Sequence, residues 1–199
     1  MELTRLQKQM QFIKEIDKIK QVMRRNYLSD GSRRGNDAEH SWHLAMMVMI
    51  LSEYFEGIDV LKTMKMVLIH DLVEIYAGDT FAYDEQANIG KEDREGEAAE
   101  KLFSLLPQDQ ADEFSGLWQE FEGMDTKEAI CASIVDRIQP LILNAGSKGK
   151  MWKEHHVTVD KVLKRNKIVF DKAPEVISEF VRSIISHARQ EHYFHNEGD

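Results

Sequence analysis

The sequence predicts an all-α fold, a single-domain helical bundle, and three observations lead there. Apolar residues recur at three- and four-residue steps in successive segments, clusters of turn-forming residues separate those segments, and no useful stretch alternates with a period of two. A length of 199 residues suits one domain, expected over residues 1–190 with 191–199 as a fraying tail.

Leu3, Leu6, Met10, Ile13, Ile16, Ile19 and Met23 make one amphipathic stripe, so a first helix is expected across residues 3–23. The stretch NYLSDGSRRGND interrupts it with two glycines, and Asp37 is placed to cap a second helix that ends near Phe55. Asp59 can cap a third, VLKTMKMVLIHDLVEIYA, which stops at Gly78, a residue tolerant of the left-handed backbone common after helix ends. Residues 79–89 lose all periodicity and read as a loop over the site. Helices resume at 91–106, 108–121 and 126–145, the last with Asp125 and Glu128 in capping-box spacing and Pro140 expected to bend it. GSKGK at 146–150 reads as a flexible basic break, followed by helices over 155–171 and 174–191. Trp42, Met46, Met47 and Met49 read as core.

Composition bounds the function. A formal charge of -9 repels polyanions, which argues against a nucleic-acid polymer as partner and leaves small anions as ligands. Cys131 is the single cysteine and lies in an apolar run, so no internal disulfide or thiolate cluster can form, and a cytoplasmic setting is expected. The N-terminal MELTRLQKQMQF mixes charged and apolar residues, unlike a secretory signal. The longest apolar run, LAMMVMIL at 44–51, is far short of the roughly 20 residues a membrane span needs, so no membrane segment is expected.

His70 and Asp71 are adjacent, and Glu74 follows one turn later, so the three project toward one side of the third helix. Their neighbours Val67, Leu68, Leu72, Val73 and Ile75 are apolar. Burying an unpaired carboxylate costs several kcal/mol, and a metal ion would compensate it. His40 and His43 sit one turn apart within AEHSWH, and Asp136 lies among Ser133, Ile134, Val135, Ile138 and Leu141. Imidazole with carboxylate suits several divalent ions, so manganese, cobalt, magnesium, zinc, nickel and iron stay open.

Through AEHSWHLAMM, LIHDLVEIYAGD and SIVDRIQPL the chain resembles the HD-domain metal-dependent phosphohydrolase superfamily, in the branch related to bacterial 5'-deoxynucleotidases. The resemblance covers about the first 145 residues. It implies that His40, His70, Asp71 and Asp136 hold one divalent metal, that Glu74 prepares the attacking water, and that Asp79 carries a proton near the leaving oxygen. It also places a substrate arginine fifteen residues before His40, at Arg25, although Asn26 follows where those enzymes carry an aromatic residue. The implied substrate is a small phosphate ester, a nucleoside 5'-monophosphate. A phosphodiesterase or triphosphohydrolase of the same superfamily and a non-catalytic nucleotide-binding scaffold are the alternatives.

Arg33 is a second candidate for the substrate phosphate, since a guanidinium can grip two phosphoryl oxygens. His43 is expected to support the metal set from behind, and His155, His156, Lys148 and Lys150 to lie at the surface. Phe170, Phe180, Val181 and Ile184 are expected to form an exposed apolar face for a homodimer contact.

Overall fold

A computed structural model of the chain describes residues 3–195. Thr4 and Gln7 cap helix α1 (Arg5–Ile16) reciprocally, each side chain taking the other's backbone N–H. The apolar stripe then outruns the helix: a 3-10 turn covers Asp17–Gln21, and Met23–Tyr27 is strand β1. It pairs antiparallel with β2 (Arg34–Asn36), with an irregularity in register between the Met23–Asn36 and Tyr27–Arg34 pairs. The Asp30 carboxylate accepts the Ser32 N–H, and Gly31 sits at φ +71°, which turns the chain between the strands. Strands of five and three residues are too short to register as alternation against the surrounding helical stripe.

Helix α2 (Asp37–Leu51) starts one residue earlier than expected, because Asn36 is the cap: it accepts from the Glu39 N–H, and the Glu39 carboxylate accepts from the Asn36 N–H. Asp37 is thereby freed from capping and lies fully buried. Helix α3 (Val60–Ile69) has the expected Asp59 cap. The segment then tightens into a 3-10 turn at His70–Val73 before α4 (Glu74–Ala77), which Gly78 ends at φ +78°.

Helices α5 (Lys91–Phe103), α6 (Gln108–Gly123) and α7 (Lys127–Gly146) follow. Thr126, not Asp125, caps α7, and Glu128 instead reaches across to accept the Asp59 N–H at 2.9 Å. Pro140 stands inside α7 and has no N–H to give the Asp136 carbonyl one turn back. Beyond it α8 (Lys150–Glu154) starts at the end of the expected break, the helix expected over 155–171 is two short pieces, α9 (Val159–Arg165) and α10 (Lys167–Lys172), and α11 (Glu175–Gln190) follows.

The 146–150 break is built rather than loose: Gly149 adopts φ +70°, and a Cβ there would lie 2.2 Å from the Tyr193 carbonyl oxygen. That close crossing docks the start of the expected tail. Phe194 is buried against Trp152 with ring centroids 4.5 Å apart, and the His195 N–H donates to the Val157 carbonyl. Residues 196–199, the rest of that tail, lie outside the described residues.

Leu44, Val48, Met66, Val67, Ile134 and Ile138 form the centre of the core, where α2, α3 and α7 meet. Met47 joins it, but Trp42 is 64% exposed and Met49 also faces outward, because only one side of α2 meets the bundle. The expected apolar face of the C-terminal region is likewise redistributed. Val181 is fully buried, Phe170 and Ile184 are half-buried, and exposed Phe180 shares a shallow apolar groove with Val176, Ile50 and Tyr54. Among the described residues, no helix is long and apolar enough to cross a membrane.

Candidate metal centre and its cavity

The four residues expected to hold a metal converge from α2, the 3-10 turn after α3, and α7. Donor atoms of His40, His70 and Asp71 all lie within 4.8 Å of one another. Asp136 Oδ1 is 3.1 Å from His40 Nε2 and 3.9 Å from His70 Nε2.

Both imidazoles are turned to present Nε2. His70 Nδ1 lies 2.9 Å from the Val67 carbonyl, which can only accept, so Nδ1 carries the proton and Nε2 offers a lone pair. His40 Nδ1 lies 3.0 Å from Gln139 Oε1, while Gln139 Nε2 lies 3.2 Å from His43 Nδ1. With the amide in that orientation it accepts from His40 and donates to His43, leaving His40 Nε2 as a second lone pair. His43 therefore acts through Gln139, in the supporting place expected of it.

These lone pairs point at carboxylates, with His40 Nε2 also 3.6 Å from Asp71 Oδ2. Lone pairs facing anions repel unless a cation lies between them. Three buried atoms, His70 Nε2, Glu74 Oε2 and Asp37 Oδ2, have no hydrogen-bond partner. Two imidazoles with two carboxylates are a donor set for a divalent ion, so the residues fit one.

Two protein cations reach into this cluster: Arg24 donates to both Asp37 and Asp71 at 2.8 Å, and Arg137 donates to Asp136. Burial opposes the charge of Arg24, yet Asp71 and Asp37 raise its pKa above the ordinary arginine value. Burial and Arg24 lower the pKa of His40. Burial also opposes charge on His70, but Asp71 and Asp136 raise it overall. Despite burial, His70 and then Arg24 hold Asp71 low, and Arg137 and His40 hold Asp136 well below the usual carboxylate range. Glu74 moves the other way: burial, Asp71 and Asp37 push it well above its ordinary value. Asp79 is half-buried and is raised by burial and Asp71 against the pull of Arg24.

A cavity opens beside the cluster, and Glu74, Asp79, Arg24 and Arg25 all line it. The strand explains the arginine pair: side chains alternate along β1, so Arg24 and Asn26 turn inward and Arg25 is exposed at the edge, close enough for its charge to act on Asp79. Arg33 does not line this cavity. Its guanidinium grips Glu39 on the exposed side of α2, where the capping carboxylate offers a ready partner. His155 is half-buried against Phe81, with ring centroids 4.7 Å apart, rather than free at the surface. His156 is paired with His195.

Sequence reasoning missed Arg24, Asp37 and Gln139. Inward alternation in RRN would have exposed Arg24 had the strand been recognised. No local signal marks Gln139, whose two partners lie 99 and 96 residues away in the chain.

Comparison with known proteins agrees with this geometry. A family model described as HD domain matches residues 16–177. The chain is 25% identical over 134 residues to the 5'-deoxynucleotidase HDDC2 of Homo sapiens, covering 67% of this chain and 65%, less than two thirds, of that relative. To the 5'-deoxynucleotidase HDDC2 of Dictyostelium discoideum it is 28% identical over 140 residues, covering 67% of this chain and 74% of the relative. A crystal structure described as a predicted metal-dependent phosphohydrolase from Magnetospirillum magnetotacticum superposes with a TM-score of 0.89 at 45% identity, covering 96% of both chains. A conserved hypothetical protein from Pyrococcus furiosus, at 23% identity and a TM-score of 0.62 over 91% of this chain and 99% of that one, shares the fold. On the match across residues 16–177, the chain belongs to the HD domain family, the phosphohydrolase superfamily that its motifs resemble.

Proposed function

We propose that this HD-domain phosphohydrolase converts a deoxynucleoside 5'-monophosphate to nucleoside and inorganic phosphate at the His40, His70, Asp71 and Asp136 centre. The observation that carries the reading is the pair of imidazole lone pairs held toward two carboxylates, in a cluster of four carboxyl groups that meets only two cations, Arg24 and Arg137. The names of the HDDC2 relatives support the choice of substrate.

When bound, a divalent ion supplies Lewis-acid polarisation and a means of ionising water near neutral pH. The protein supplies the proton path and the positioning. Glu74, with an unpartnered Oε2 at the cavity wall, accepts a proton from the attacking water. The water oxygen bonds to phosphorus as the bond to the 5'-oxygen breaks. Asp79, at the same cavity wall, gives that oxygen a proton. Arg25 at the edge and Arg24 within provide positive charge for the phosphoryl oxygens.

The test is phosphate release from a panel of ribo- and deoxynucleoside monophosphates with manganese, cobalt, magnesium or zinc, together with a cyclic diester and a triphosphate. Phosphate from a monophosphate is the expected product. Inactivity on every monophosphate with every metal would overturn the proposal, and opening of the diester or release of tripolyphosphate would reassign the reaction within the superfamily.

A further inference from the structure

The cavity continues well past the candidate metal centre along α7. Ser133, Asp136, Pro140 and Asn144 line it at steps of three, four and four residues, so they run along one side of the helix. Eight residues from Asp136 to Asn144 correspond to about 12 Å of helix rise. That span suits a ligand with its phosphate at the carboxylates and a nucleobase at the far end.

The far end is polar in a particular way. Asn144 Nδ2 donates to the Pro140 carbonyl at 2.9 Å, and Asn166 Nδ2 donates to the Val162 carbonyl at 2.8 Å. Carbonyls only accept, so these contacts fix both amides with Oδ1 as the remaining atom. Both asparagines line the cavity, both are 2% exposed, and neither Oδ1 has a hydrogen-bond partner. Two buried acceptors without donors are costly, at about 1–3 kcal/mol each, and call for a ligand that brings N–H groups. Arg165 lines the same cavity, where Arg137 and Asp136 act on its charge, and has no ion-pair partner among the described residues. Phe81 and Tyr83, on the loop after α4, also line the cavity and offer aromatic surface for stacking.

We propose that Asn144 and Asn166 form a base-reading subsite that selects amino-bearing nucleobases, their amide oxygens accepting from two N–H groups: the amino and ring N–H of guanine, or the two amino hydrogens of cytosine or adenine. This rests on the nucleotide reading above. Uracil and thymine have a single ring N–H and no amino group, so they leave one acceptor unpaired. A site built to hydrogen-bond a donor discriminates strongly against a ligand that lacks it.

The test compares kcat/KM for dGMP against dIMP, which differ only by the 2-amino group, and for dCMP against dUMP. The amino-bearing member of each pair is expected to lead by about tenfold or more. Asn144→Leu and Asn166→Leu should each bring the ratio toward one, with circular dichroism and thermal unfolding verifying the fold. A wild-type ratio within about twofold for both pairs, or an unchanged ratio in both folded variants, overturns the subsite. Calorimetry with deoxyguanosine and deoxyinosine, which carry no phosphate, separates this proposal from the hydrolytic one. Selective binding of deoxyguanosine without hydrolysis of any nucleotide retains the base subsite and retracts the reaction. Hydrolysis without base preference does the reverse.

Discussion

Asp37 is fully buried beside Asp71 and Glu74, with Arg24 donating to one of its oxygens, and replacing it with asparagine keeps its shape while removing its charge. Burial first and Asp71 second push its carboxyl from the ordinary 3.8 up to about 7, against the opposing pull of Arg24. Below about pH 4 the carboxyl is protonated in both folded and unfolded chains and contributes no difference. Between there and pH 7 the unfolded chain releases the proton while the folded chain retains it, so the wild type loses stability at about 1.4 kcal/mol per pH unit. Over a gap of about three pH units the cost reaches about 4 kcal/mol at pH 7 and stays there at higher pH. The substituted amide avoids that cost, which is already net of the attraction of Arg24 for the charged form. It can also donate toward Glu74, whose Oε2 has no partner. Asp37→Asn should therefore be more stable than wild type at pH 8, by up to about 4 kcal/mol, and close to wild type at pH 4. Urea unfolding in EDTA at several pH values reads this directly. A stability difference that does not change with pH, or a variant weaker than wild type at pH 8, would refute the argument.

His70→Ala should lose the metal, while Glu74→Ala should retain it by elemental analysis and lose turnover by about a hundredfold or more; equal metal loss in both would make Glu74 a ligand. Gln139→Leu should weaken metal affinity by about 10–100-fold in a chelator competition, because both the His40 tautomer and the His43 contact depend on that amide. Cys131 is buried, and burial with Glu128 raises its thiol to about 12, so Ellman's reagent should find no reactive thiol in the native protein and one after denaturation. Gly149→Ala should cost about 2 kcal/mol or more in urea unfolding, since it combines a positive φ with a blocked Cβ; a loss below about 0.5 kcal/mol would show that the Tyr193 crossing yields easily.

The all-α class was legible because helical periodicity persists over long windows, and Asp59 and Gly78 mark the ends of the segment that carries His70 and Asp71 by local chemistry alone. The convergence of His40, His70, Asp71 and Asp136 was legible as polar residues in apolar surroundings, which demand compensation wherever they meet. The hairpin was not, since helical spacing runs on through Ile19 to Met23, where pairing with β2 begins. With the strand unrecognised, the period of 2 that turns Arg24 inward was not visible either. Asn36 and Asp37, like Asp125 and Thr126, are adjacent residues of similar capping ability, and composition cannot decide between neighbours. Trp42 faces outward although its segment is apolar almost throughout, so its periodicity names no buried face.

The groups of the candidate metal centre have fully buried neighbours: Leu44 lies one turn beyond His40, Val67 holds the His70 ring by its carbonyl, and Val135 precedes Asp136, all at 0% exposure. Dense interiors yield little, so the opening between the two rings has a nearly fixed width. Ionic radius becomes a criterion of selection. Calcium surrounds itself with six to eight oxygens at about 2.3–2.6 Å, and a stiff pair of imidazoles can neither widen nor provide them. Smaller ions that bind nitrogen at about 2.0–2.1 Å fit the same opening without strain.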